Sequence, residues 1–121
     1  MGRASDERIR SPVIRIPELV QRGRIRRDEI IHPQIEIMHP SRTGLAWRDG
    51  KFVRESEALY LTELAVYYGG DRVSRFVLTS AVSDDPFITF SLLARSEGPL
   101  QVILMNNRGQ RYEAVHEIRF A

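Results

Sequence analysis

Cysteine is absent from the 121 residues, which excludes disulfides, thiolate metal sites and a thiol nucleophile from this chain and leaves its redox compartment open. Lysine occurs once, at Lys51, so the basic side chains are almost all arginine. Long apolar runs are missing too. No segment approaches the roughly 20 apolar residues of a membrane helix, and the stretch MGRASDERIRSPVIRI is positively charged without the continuous apolar core of a signal peptide. The expectation is a chain with no membrane partner and no export signal of its own. Histidine is sparse: His32, His39 and His116 are separated by gaps of 7 and 77 positions, which match no clustered ligand spacing, so neither metal nor cofactor is expected.

What is present describes one soluble globular domain. The apolar fraction is 42% and the charged fraction 28%, and the length suits a single hydrophobic core. Positive charge gathers at one end: residues 1–27 hold eight arginines against Asp6, Glu7 and Glu18, although the whole chain is only +2. The cluster RGRIRR (Arg22 to Arg27) has the charge to meet phosphates but no interleaved aromatics for base stacking and no nucleic-acid module around it. It reads as a solvated rim, and no nucleic-acid partner is expected.

Residues 1–11 are polar and read as a flexible arm, with the domain running from 12 to 121. Within the domain, period-two alternation dominates. In QRYEAVHEIRF, Tyr112, Ala114, His116, Ile118 and Phe120 share one face and charged residues the other. LQVILM precedes it, and NNRG between them supplies the residues a tight hairpin needs. LYLTELAVYY, GGD and RVSRFVL make a second hairpin by the same logic. FITFSLLA (87–94), QIEIM (34–38) and VIRI (13–16) add three strands, for seven in all. VRESEALYL is ambiguous at its start, and nothing shows helical spacing over about ten residues. The expected fold is all-β: an immunoglobulin-like antiparallel β-sandwich of about seven strands, held by packing alone.

Chemistry-bearing residues are few. His39 with Ser41 or Thr43 lacks the third group that would orient a catalytic base, and no oxyanion donors, phosphate loop or carboxylate dyad stands out. No enzyme activity is expected. Asp84 and Asp85 precede Pro86 and read as turn formers, with Asp85 pushed toward an extended backbone. In MHPSRTGL, His39 before Pro40 should end its strand, Ser41 and Thr43 can satisfy turn amides, and Gly44 can take a conformation closed to other residues.

At these residues the chain resembles SoxZ, the small subunit of the SoxYZ sulfur carrier of bacterial thiosulfate oxidation. QIEIMHPSRTGL is similar to that family's strand running into His-Pro-Met-Glu-Thr-Gly: His39, Pro40, Thr43 and Gly44 match, and Ser41 and Arg42 replace Met and Glu. SDDPFITF resembles its Asn-Pro-Phe segment, with Asp85 for Asn and Pro86, Phe87 and Phe90 in place. VYYGGDRV and VIRIP are similar to its Phe-Asn-Gly-Glu-Pro-Val turn and its opening Val-Arg-Val-Pro. Where the family has Trp-Val-Asp-Asp-x-Gly, this chain has LMNNRG, and an added RIRRDEIIH lengthens the segment before QIEIM.

The resemblance implies a non-catalytic Ig-like subunit that forms a heterodimer with a SoxY-like partner. That partner carries the sulfur substrate on a cysteine in its Gly-rich C-terminal arm. The resemblance also implies transient docking to sulfur-oxidation enzymes and a periplasmic location reached by export with the signal-bearing partner. The strand from Tyr60 to Tyr68 is the candidate partner surface: Tyr60, Thr62, Leu64, Val66 and Tyr68 fall on one face and Leu61, Ala65 and Tyr67 on the other, one of which must meet the core. The alternative is an Ig-like binding module without a sulfur role.

Overall fold

In a computed structural model, which describes residues 9–79 and 84–120, the chain is an immunoglobulin-like antiparallel β-sandwich with eleven strands and one short helix among the described residues. One layer has the order β11-β10-β6-β7, built from Arg111–Ile118, Gly98–Asn106, Leu61–Tyr68 and Asp71–Val77. Facing it are β1 (Val13–Arg15), β3 (Gln34–Glu36) and β8 (Phe87–Thr89), continued by the pair β2 (Glu29–Ile31) and β9 (Leu92–Ala94). Strand alternation closes the core. Leu64, Val66 and Tyr68 from β6, Leu100, Val102 and Leu104 from β10, and Ile118 from β11 meet Ile31, Ile35, Ile37, Leu92 and Ala94 from the other layer. Each of these side chains leaves water almost entirely, which stabilises the fold by about 1.5–3 kcal/mol per large aliphatic group before the entropy of ordering is charged against it.

The expected strand over 87–94 is split in two, and so is the segment paired with it. Pairing runs from Glu29 with Ala94 to Ile31 with Leu92, and resumes from Gln34 with Thr89 to Glu36 with Phe87 in the same register. Between them Phe90 N–H donates to the Pro33 carbonyl at 3.3 Å. Pro33 has no N–H to return, so the ladder breaks there without slipping. The added stretch RIRRDEIIH, which lengthens the segment before QIEIM, thus contains strand β2.

Two further features exceed the seven-strand reading. Helix α1 (Pro17–Arg22) starts with proline in its first turn and ends at Gly23, in the left-handed region at φ 78°, whose N–H donates to the Leu19 carbonyl at 2.7 Å. Six residues are too few to show a 3.6-residue period, so only its terminal signals were legible. Strands β4 (Leu45–Arg48) and β5 (Lys51–Arg54) form a hairpin around Asp49-Gly50, both at positive φ, 50° and 79°, as a two-residue type I′ connection requires. The Asp-Gly pair was the available signal. The ambiguous VRESEALYL contributes the end of β5, a connection in which Leu59 bridges to Arg42, and Leu61 at the start of β6, with no helix.

Residues 1–8 of the expected N-terminal arm lie outside the described residues; beyond them Arg10 N–H donates to the Met38 carbonyl at 3.2 Å and Pro12 is buried. Asp85 departs from the extended conformation expected before proline and sits at φ 50°. Its N–H donates to the His39 carbonyl at 3.0 Å, so a tertiary hydrogen bond overrides the local preference, at a position where aspartate tolerates positive φ better than most residues.

Candidate functional site

The segment His39–Gly44 folds against three other stretches at one end of the sandwich. His39 is fully buried. Its backbone N–H donates to Asp85 Oδ1 at 2.8 Å, and Ser41 N–H donates to Asp84 Oδ1 at 2.6 Å. The two aspartates therefore cap the His-Pro loop across 43 and 46 positions of chain, where the sequence suggested caps for their own turn.

The imidazole has a defined proton arrangement. Asn106 Oδ1 accepts from the N–H groups of Arg108 and Gln110, each at 3.0 Å, which fixes the amide so that Nδ2 points toward Gln110 Oε1 at 2.7 Å and His39 Nε2 at 3.1 Å. Nδ2 can only donate, so Nε2 accepts. The proton then resides on Nδ1, which donates to the Pro40 carbonyl at 2.6 Å. The ring of Tyr112 meets the imidazole edge-on, with centroids 6.4 Å apart. A neutral, sealed imidazole with both nitrogens engaged is a structural hub rather than a general base.

The rest of the loop is equally tied down. Arg42 exchanges backbone hydrogen bonds with Leu59 at 2.8 and 3.0 Å, and its Nε donates to the Glu57 carbonyl at 3.2 Å. Thr43 Oγ1 accepts from Leu45 N–H at 3.2 Å. Gly44 is buried at φ 81°, and a Cβ there would lie 2.2 Å from the Ser56 carbonyl oxygen. Asn107 joins the neighbouring segment: its Oδ1 accepts from Tyr60 N–H at 2.9 Å and its Nδ2 donates to the Ala58 carbonyl at 3.0 Å. In the sequence Asn106 and Asn107 read as hairpin-turn residues and as departures from the family pattern; here they also hold the His39 loop and the start of β6. Pro40 is buried, Pro86 half-buried with its carbonyl accepting from Ile37 N–H at 3.2 Å, and Phe87 is 55% exposed.

The two faces of β6 are now distinguished. Leu64, Val66 and Tyr68 are core residues at 0%, 0% and 3% exposure, so as candidates for partner contact they are corrected: alternation sends them inward, and the Tyr68 hydroxyl hydrogen-bonds the Ser96 backbone. Leu61, assigned to the opposite face, is buried too, because a register shift between Met105 and Asn106 turns the strand start inward. Tyr60 and Thr62 are half-buried, the Thr62 hydroxyl donating to the Met105 carbonyl at 3.3 Å. Tyr67 faces outward opposite Gln101 of β10, with Ile103 and Met105 of β10 and Val115 of β11 on the same face, where Ala65 is already covered at 5% exposure. Paired charges flank this apolar band: Arg75 with Glu63 at 2.8 Å on one side, Arg111 with Glu113 at 3.0 Å on the other.

The β4–β5 hairpin presents a second outward surface that the sequence reading missed. Trp47 and Phe52 stand directly opposite each other, edge to face with centroids 4.9 Å apart, and are 61% and 66% exposed. Arg48 grips Glu55 through two hydrogen bonds of 2.5 and 2.9 Å across the hairpin. Elsewhere His32 Nδ1 meets Glu18 Oε2 at 2.7 Å, and His116 Nδ1 lies 3.1 Å from the Glu117 carbonyl. Among the described residues no three His, Cys, Asp or Glu side chains converge as a metal site would require, and no helix is long and apolar enough to cross a membrane.

The antiparallel sandwich with its sealed histidine hub places the chain in the class of immunoglobulin-like β domains. Its family follows from the sequence match: residues 20–117 match the SoxZ family, described as sulphur oxidation protein SoxZ, and the chain belongs to that family. No curated protein matches the sequence. Among solved structures, a variant of the superoxide reductase (neelaredoxin) from Ignicoccus hospitalis is similar with a TM-score of 0.68 at 18% identity, covering 95% of this chain and 83% of that one. The sulfur carrier protein SoxY from Chlorobium limicola f thiosulfatophilum is similar with a TM-score of 0.59 at 13% identity, covering 90% of this chain and 74% of that one. At these identities the likeness is one of fold.

Proposed function

We propose that this chain is the non-catalytic subunit of a SoxYZ-type sulfur carrier, paired with a SoxY-like protein whose C-terminal cysteine holds the sulfur substrate. Membership of the SoxZ family supports the reading, and the absence of cysteine supports the division of labour, since covalent carriage needs a thiol that this chain does not contain. The observation that carries the pairing is the outer face of the four-stranded layer. Tyr67, Ile103, Met105 and Val115 give that face its apolar surface, with Gln101 between Tyr67 and Val115 and charge pairs at its borders, the mixture of apolar and polar groups found in protein interfaces. A standard pairing buries about 800 Å² per partner.

The same reading gives the β4–β5 hairpin to transient docking of sulfur-oxidation enzymes. A rigid hairpin tip that exposes a Trp-Phe pair has the residue types that dominate binding energies. On this proposal the chain works in the periplasm, exported in company with its signal-bearing partner.

Co-expression with a SoxY-like protein, followed by fractionation and affinity capture through the partner, tests the proposal. A one-to-one complex recovered from the periplasm is expected. Failure of the two proteins to co-purify at micromolar concentration removes the pairing, and accumulation of this chain in the periplasm without the partner removes the export route.

A further inference from the structure

At the end of β11 remote from the Asn106–Gly109 turn, a cavity of about 280 Å³ opens between α1, the arginine-rich loop and the C-terminal segment. Its floor is apolar: Leu19, the fully buried Ile25, and Phe120, which pairs with Ile25 through an isolated parallel bridge. Arg24 and Arg119 are among its lining residues, and neither side chain has a partner among the described residues. Glu117 lies on the same rim and pairs with neither.

The neighbouring arginines are placed differently. Arg22 is taken by Glu29. Arg27 lies over the Phe120 ring with its guanidinium carbon 4.9 Å from the centroid and donates to the Arg95 carbonyl at 3.2 Å. Arg27 thus braces the floor and covers one face of its only aromatic ring, whereas the Arg24 and Arg119 side chains have no such partner among the described residues.

The geometry points to a binding site for an acidic peptide segment that presents one apolar side chain flanked by carboxylates. A cavity of this size lies just under the range of pockets for drug-sized ligands and suits one or two side chains. Leu19, Ile25 and Phe120 take the apolar side chain, and the unpaired guanidiniums take the carboxylates, which planar guanidinium groups bind in bidentate fashion. A nucleic acid is the weaker fit, because Arg27 occupies a face of the ring and no other aromatic platform lines the cavity. The site is separate from the β6–β10 face and does not depend on pairing there.

Fluorescence anisotropy on the full chain tests this with a labelled acetyl-Gly-Glu-Leu-Glu-Gly amide. The glutamine counterpart and the peptide with serine in place of leucine are expected to bind at least about tenfold more weakly. The double variant Arg24→Glu/Arg119→Glu should lose binding to the same extent with an unchanged melting temperature, and the single variants Arg24→Gln and Arg119→Gln should each weaken it in case the double variant misfolds. Equal binding of the glutamine or serine peptide overturns the proposal. So does full competition by millimolar sulfate, which would mark a site for anions alone, or tighter binding of a labelled oligonucleotide.

Discussion

His39 Nε2 lies 3.1 Å from Asn106 Nδ2, both side chains are sealed from solvent, and 67 positions of chain separate them. This contact joins the His-Pro loop to the β10–β11 turn. Because the same amide also accepts from Arg108 and Gln110, it sets the shape of the turn and the tautomer of the imidazole together.

Asn106→Ala leaves the imidazole nitrogen and two turn amides without their partner, and a buried unsatisfied polar group costs about 1–3 kcal/mol. A loss of about 2–3 kcal/mol is expected, read in urea as a lower midpoint with an unchanged slope. Asn106→Asp, though similar in shape, should be no better, because it turns an acceptor toward an acceptor. Wild-type stability in the Asp variant at neutral pH would show that the imidazole carries its protons differently.

Gly44 and Gly50 share positive φ but differ in surroundings. A Cβ on Gly50 meets nothing within 4 Å, whereas one on Gly44 lies 2.2 Å from a backbone oxygen. Gly50→Ala should cost about 1–2 kcal/mol, the strain of the left-handed region alone. Gly44→Ala should cost clearly more or prevent folding, because backbone must move. Thermal melts of both variants compare the two costs directly, and equal shifts would contradict the predicted clash.

Tyr67 and Tyr68 are adjacent but face opposite ways. Tyr67→Asp should leave the domain folded and weaken capture of a SoxY-like partner at least about tenfold, as interface aromatics often do. Tyr68→Asp should unfold it, since it places a charge in the core and removes the hydroxyl contact to Ser96. Circular dichroism and co-purification of the two variants decide the matter; full partner binding by Tyr67→Asp would move the interface elsewhere.

Acid should destabilise the α1 region. Partial burial pushes the Glu18 carboxyl up, but hydrogen bonds from the His32 side chain and backbone outweigh it, and the group sits below its ordinary value. Glu29 is also lowered, chiefly by the Arg26 N–H, with burial opposing and Arg22 assisting. A carboxylate lowered on folding adds stability above its unfolded value and loses it as pH falls through the folded one. Stability should therefore fall as pH drops below the usual carboxylate range of about 4–5, and Glu18→Gln should make that fall shallower. A pH-stability profile identical in slope to wild type would show that Glu18 contributes nothing.

The alternation in QRYEAVHEIRF and LYLTELAVYY, the Gly and Asn turns between strands, and the His-Pro and Asp-Pro motifs determined a β-sandwich of SoxZ type without any coordinates. These are local signals, set by side-chain period and by the backbone limits of proline and glycine. Tertiary structure alone decided three things. Which face of β6 is buried depended on the opposing layer, because both faces carry apolar residues. The work of Asn106 and Asp85 depended on partners more than 40 positions away, which no local pattern encodes. The unpaired state of Arg24 and Arg119 emerged only when the segments around Ile25 and Phe120 met, since a charge in a sequence declares its sign but not its company.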